Sequence, residues 1–271
     1  MMSTPASTRR HRVSRWPSAE GPAVPERLGL ALGWAVAPLF ALTSFLRQAR
    51  TFHPAGVVAR AEVEALPSGR WLGELLAGPA LVRFSGALWK SERHFPDVLG
   101  CAIRFRASPR VSPEPEEGDQ DLLFATIRKP WTMPFAPLAT DVRDYLSNRY
   151  FAVSPFDVPD FGRVFFRAVP EQRSPDTGLR GERLAGAIAA RRAQLRLEVR
   201  HPHRLAWTPV ARVRLVELVA IDQARLSFDP FRAGRALVPR GLVHAMRRGA
   251  YAASQAARPA SAVSEWRRAP A

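Results

Sequence analysis

Residues Gly56 to Leu66 read Gly-Val-Val-Ala-Arg-Ala-Glu-Val-Glu-Ala-Leu. Val57, Ala59, Ala61 and Val63 alternate with Val58, Arg60, Glu62 and Glu64, and a period of two marks a half-buried strand. The spacing predicts further strands over Ala80–Leu88, Val98–Arg106, Asp121–Ile127, Tyr150–Ser154 and Gly162–Val169. Ser108–Gln120, rich in Pro, Glu and Gly, reads as a polar loop, and Thr140–Asn148 as a short helix. Short strands at regular spacing between turn signals point to an antiparallel barrel or sandwich. The 25 prolines argue against a helix bundle.

The second half changes character. Arg180–Arg192 reads as a helix, with Leu184, Ile188 and Arg191 on related faces. In Ala193–Arg200, Leu195, Leu197 and Val199 alternate with charged residues, as in a strand. After His201–His203 the sequence reads as a long irregular segment through Trp207, Pro209 and Phe228-Asp229-Pro230. A helix from about Gly241 to Ala257 closes the regular part.

The 271 residues suffice to bury a sizeable core. Net charge is +16, but 38 of the 40 cations are arginine, only Lys90 and Lys129 being lysines. With abundant alanine, that skew reflects base composition more than a nucleic-acid surface, and no specific nucleic-acid partner is expected. One cysteine, Cys101, excludes a disulfide framework and Cys-based metal clusters. No phosphate-binding glycine motif is present.

Residues 1–27 carry Arg9, Arg10, Arg12 and Arg15 among Ser and Pro and read as a disordered basic tail. Leu28 to Leu46 then run 19 positions without a charge, just enough to span a bilayer. Gly29, Gly33 and Pro38 favour the other reading, an apolar helix over 28–49 packed on a single domain of residues 50–258, with 259–271 a flexible tail. The chain is expected to be cytoplasmic, with membrane association through 28–46 the alternative.

Chemistry concentrates in the last helix. Arg247, Tyr251, Ser254 and Arg258 recur at helical spacing and share one face. A cation one turn from a tyrosine stabilises its phenolate, a hard oxygen ligand suited to ferric haem. A Tyr and two Arg on a solvated helix face is the plainer reading of this helix alone.

Taken together, the motifs resemble the haem catalases and their shortened relatives. Arg247-x-x-x-Tyr251-x-x-Ser254-Gln255-x-x-Arg258 is similar to that family's proximal helix, and Phe228-Asp229-Pro230 precedes it as in the family. Arg50-Thr51-Phe52-His53 is similar to the distal R-x-x-H motif, and Val82-Arg83-Phe84-Ser85 to V-R-F-S. Val98–Phe105 and Asp121-Leu122-Leu123 follow in family order. The resemblance implies an α+β fold, an antiparallel β-barrel of catalase-like type with flanking helices. It implies haem b, held without covalent attachment, with Tyr251 the axial iron ligand paired by Arg247. Arg50, Arg83 and Arg258 then neutralise haem carboxylates. His53 acts as acid and base on a peroxide or organic hydroperoxide, with Ser85 fixing its tautomer. The family's distal asparagine pair falls at Phe124-Ala125-Thr126, so Thr126 replaces the amide, which argues against fast hydrogen peroxide dismutation.

The reading is thus a haem-dependent peroxidase or hydroperoxide-transforming enzyme. A non-enzymatic haem-binding or haem-free protein of the same fold is the alternative, and a hydrolase such as a phosphodiesterase ranks last. Nothing in the sequence specifies an oligomer. His201 and His203 read as a solvated turn, His94 and His244 as surface or packing residues, and Asp119 with Asp121 as loop-edge charge. Trp71, Trp89, Trp131 and Trp207 lie in apolar segments and read as core.

Overall fold

In the computed structural model the described residues are 56–241, less 88, 90–94, 130–131, 133–134, 153 and 176. The alternating run becomes strand β1, Gly56–Ala65. It is followed by helix α1 (Arg70–Leu76), β2 (Gly78–Gly86), β3 (Leu99–Phe105), β4 (Gln120–Ala125) and the one-turn helix α2 (Ala136–Ala139). Then come β5 (Tyr150–Phe151), β6 (Phe156–Val158), β7 (Gly162–Pro170), helix α3 (Arg180–Ala189), β8 (Gln194–Arg200), β9 (Thr208–Leu218) and β10 (Val238–Pro239).

All pairings are antiparallel. The order β7-β5-β4-β3-β2-β1-β9-β8 closes through a β7–β8 pairing, so eight strands form a barrel and no edge is left open around it. Strands β6 and β10 extend the sheet outward from β7.

The pleat sorts side chains between inside and outside. Ala59, Ala61 and Val63 of β1, Val82 and Phe84 of β2, and Cys101, Ile103 and Phe105 of β3 share one buried cluster. Leu122, Phe166, Leu197 and Val213 join it from β4, β7, β8 and β9. Leu72 and Leu76 of α1 and Leu184 and Ala187 of α3 add to it, both helices lying against β9 or its neighbours. Helix α1 sits unusually near β9: a Cβ on Gly69 or Gly73 would lie 2.2 or 2.3 Å from the Val210 carbonyl oxygen. Helix α3 starts with Glu182 accepting from the Leu179 N–H and ends with Arg191 in the left-handed region, φ 55.

Two elements differ from expectation. The segment after His203 is not irregular: Thr208–Leu218 is the longest strand, pairing with both β1 and β8. Pro209 is tolerated because it lies at the strand's start, beside the register shift at Leu197/Glu198. The helix expected over Thr140–Asn148 is one 3-10 turn, Tyr145–Ser147. Asp144 accepts from the Leu146 N–H at 2.8 Å, the Ser147 hydroxyl at 2.8 Å and the Ser174 hydroxyl at 2.6 Å. These side-chain bonds displace the backbone bonds a helix needs. The expected elements over 1–55 and 242–271 lie outside the described residues.

Asp119 and Asp121 are not loop-edge charges, for both are fully buried. Asp121 holds Arg104 in a two-point ion pair at 2.9 and 3.1 Å, pairs with Arg232, and accepts the Asp229 N–H at 2.9 Å. Arg104 also donates to the Pro113 and Ser227 carbonyls and lies over the Phe228 ring at 4.9 Å. Asp119 faces Arg106 at 3.5 Å. Residues 227–237 are thereby tied across the outside of β3 and β4.

Removing one partner of a buried pair leaves an uncompensated charge. Asp121→Ala is therefore expected to lower stability by about 3–5 kcal/mol, against less than about 1 kcal/mol for Glu217→Ala, whose pair with Arg60 is exposed. Urea denaturation of both variants checks this.

Candidate functional site

The outward face of β1–β4 forms three cross-strand rows. One row aligns Gly56, Ser85, Gly100 and Ala125; the next Val58, Arg83, Ala102 and Leu123; the third Arg60, Leu81, Arg104 and Asp121. Leu226 and Phe228 pack over Val58 and Leu81, with Ala102 and Leu123 beside them. The third row and part of the second are thus roofed by the 219–235 segment. The first row and Arg83 lie toward the barrel end where β1 begins and β2 leaves.

Arg83 is 4% exposed. Its Nε donates to the Gln223 Oε1 at 3.2 Å, and the Gln223 amide donates to the Gly56 carbonyl at 2.6 Å. The guanidinium lies against Gly56, where an added Cβ would be 3.0 Å from its Cζ and 2.3 Å from the Phe84 carbonyl oxygen. Burial pushes the Arg83 pKa down to about 10, with the Tyr145 phenol opposing. Ser85, two residues on, shares this face and is 3% exposed. A buried cation and a buried hydroxyl therefore stand side by side among glycine and alanine.

Thr126 ends β4. Its Oγ1 accepts the Leu99 N–H at 3.2 Å and contacts the Thr140 Oγ1 at 2.7 Å. Thr140 has one hydroxyl proton and donates it to the Ala136 carbonyl at 2.8 Å. The Thr126–Thr140 bond must then use the Thr126 proton. A donor role toward a ligand would require that bond to open.

The structure thus brings together Arg83 and Ser85 on β2, with Thr126 just past the end of β4, two strands away. The other expected site residues, Arg50, His53, Arg247, Tyr251 and Arg258, lie outside the described residues. Gln223 was not anticipated: a glutamine in an irregular segment gives no sequence signal. Asp97 was also missed. It is 1% exposed, accepts the Val98 N–H at 2.7 Å and the Ala87 N–H at 3.2 Å, and so fixes the turn after β2.

His201 and His203 are exposed, as expected of a turn, and line a pocket of about 600 Å³ with Asp157 and Arg163. Phe161 stacks on His201 at 5.2 Å. Among the described residues no group of three or more His, Cys, Asp or Glu could hold a metal ion, and no helix is long and apolar enough to cross a membrane.

No protein-family model matches the chain, and no curated protein matches it. Solved structures do. A fungal catalase aligns over 95% of this chain and 66% of its own, at 15% identity and a TM-score of 0.50. Catalase A from Saccharomyces cerevisiae aligns over 95% and 68%, at 14% identity and a TM-score of 0.46. The chain spans about two thirds of the length of these catalases. At such identity the likeness is one of fold, and it rests on the first of the two. The fold is catalase-like: a closed eight-stranded antiparallel barrel with a few helices.

Thr126→Val and Thr140→Val are each expected to lower stability by about 1–2 kcal/mol, since each leaves a polar group without its partner. The double variant should cost less than the sum by about 1 kcal/mol, a coupling that denaturation of all four proteins measures.

Proposed function

We propose that this is a catalase-like haem protein acting on a peroxide or organic hydroperoxide, in which Tyr251 would hold the iron and His53 would act as acid and base. The observation that carries this reading is Arg83 beside Ser85 on the outer wall of a catalase-like barrel. The donor set fits the group. A buried guanidinium bordered by Gly56 and Ala102 suits a carboxylate at the edge of a flat, apolar molecule. When bound, a haem supplies redox chemistry at iron for cleavage of the O–O bond.

The chain's own residues would do the rest. Arg83, with Arg50 and Arg258, binds the carboxylates. Arg247 stabilises the Tyr251 phenolate by its charge. His53 takes a proton from the bound hydroperoxide and returns it to the departing oxygen. Ser85 holds the second imidazole nitrogen and so selects the tautomer. Gln223 orients the Arg83 side chain. The commitment of the Thr126 proton to Thr140 favours one other reading, a haem binder with slow turnover, because Thr126 then does not polarise the peroxide.

Haem titration of the full chain, followed by absorption, tests the reading. A high-spin ferric Soret band is expected, lost in Tyr251→Phe; absence of haem uptake overturns both versions. His53→Ala should keep the band and lose peroxide turnover by about 10²–10⁴-fold. Unchanged turnover removes His53 from the mechanism and leaves the binder. Arg83→Met should weaken haem affinity by about tenfold or more, and also lower the stability of the haem-free protein by about 1–3 kcal/mol, since it leaves the Gln223 oxygen without its donor.

A further inference from the structure

Residues 219–237 lie across the outer face of β1–β4 and are fastened to it at two separated places. At the first, the Val219 N–H donates to the Val58 carbonyl at 2.9 Å, and Gln223 meets both Arg83 and the Gly56 carbonyl. At the second, Asp121 pairs with Arg232 and accepts the Asp229 N–H. Gln120 there donates to the Arg232 carbonyl and accepts from the Arg235 and Leu237 N–H groups. Between the two places Leu226 and Phe228 pack on Val58 and Leu81.

A turn places Gln223, not a strand or a helix. The Asp222 carboxylate accepts the Ala224 N–H at 2.9 Å, and the Asp222 carbonyl accepts the Leu226 N–H at 3.0 Å. The turn ends on Leu226, which is fully buried, and the next carbonyl, that of Ser227, accepts from Arg104. Arg104 is itself held by Asp121. A path of contacts therefore runs from Asp121 through Arg104 and Ser227 to the turn, and from the turn through Gln223 to Arg83. Arg83 and Asp121 stand two strands and one row apart, with Ala102 and Leu123 between them. On a pleated sheet their Cα atoms are then about 12 Å apart.

We propose that residues 219–237 are a clasp for the Arg83 seat: Asp121 and Gln120 fix the segment, the segment fixes Gln223, and Gln223 sets the Arg83 side chain for the ligand's carboxylate. Asp121 is then a positioning residue that acts through Gln223. This rests on the haem-binding reading above and adds that affinity at the seat is set from two strands away. Coupling of this kind is reciprocal, so a ligand on Arg83 holds the segment down in turn. Charge separates the clasp from a direct effect. Acting directly, loss of the Asp121 negative charge favours an anion about 12 Å away. Acting through the clasp, the same loss disfavours it.

The test is haem titration of the full chain, followed by absorption, on the parent, Gln223→Leu and Asp121→Asn. Each variant is expected to weaken haem affinity by about tenfold. The double variant should be within about twofold of the weaker single variant, since both cut one path. Gln120→Leu, which changes no charge, replaces Asp121→Asn if that variant does not fold. Arg212→Met cuts an ion pair on β9, away from the clasp, and should bind haem as the parent does. Hydrogen exchange gives a second readout: saturating haem should slow the Leu226 and Arg232 amides by about tenfold in the parent and not in Gln223→Leu. Parent-like or tighter binding by Asp121→Asn or its replacement, parent-like binding by Gln223→Leu, or additive losses in the double variant overturns the clasp. An equal loss in Arg212→Met, or amides that haem leaves unprotected, does the same. Absence of haem uptake by the parent overturns the haem reading and the clasp with it.

Discussion

The Asp121 carboxylate is the contact on which the outer layer depends. A barrel strand is buried on its inner face by the pleat alone, but the outer face of β1–β4 needs a separate cover. That cover, residues 219–237, has little regular structure and few backbone partners of its own. It is held because Asp121 meets Arg104 from its own sheet and Arg232 from the cover. Gln120 reinforces the tie, donating to the Arg232 carbonyl at 2.7 Å and accepting from the Arg235 and Leu237 N–H groups at 3.3 Å. Arg235 completes it by donating to the Ala77 and Arg106 carbonyls at 3.0 and 2.7 Å. Such charged clusters specify one arrangement more than they add net stability, since hydrophobic replacements can match them in energy.

The same contact changes the meaning of the +16 charge. On the outer wall of β7–β9, Arg167, Arg196 and Arg212 pair with Glu198 and Glu171, and Arg214 pairs with Glu62. Arg167 and Arg200 lie over the Trp207 ring at 4.3 and 5.0 Å. Arginine serves these uses because its planar head stacks and forks where lysine cannot. These arginines therefore serve the barrel's own wall and not a partner.

Most of the barrel was legible from period-two alternation, because an inner face packed with Ala59, Val82, Ile103 and Leu197 imposes that pattern on the sequence. Strand β9 was hidden by Pro209, whose effect depends on its place at the strand's start, which only the tertiary pairing reveals. The turn at Asp144 was hidden for the opposite reason: its partner Ser174 is thirty residues away. Burial of Asp119 and Asp121 was invisible because their cations come from other elements. Of the site, Arg83 and Ser85 were readable through a four-residue resemblance, whereas Gln223 and Asp97 act through contacts with no local sequence mark. Trp89, expected in the core, is half exposed, since an apolar residue between β2 and β3 need not face inward.

Arg83 and Arg104 make the most telling comparison. Both stand on the outer face of neighbouring strands, and both are nearly inaccessible to water. Arg104 is matched by a carboxylate with two-point geometry. Arg83 meets the neutral amide of Gln223, and its pKa falls to about 10 because burial outweighs what surrounds it. A charge held with a net penalty is relieved when an anion binds beside it, and that relief adds to the anion's affinity. The buried Arg83 guanidinium beside Ser85 is therefore the point on this wall at which a carboxylate of the proposed group would add a counter-charge.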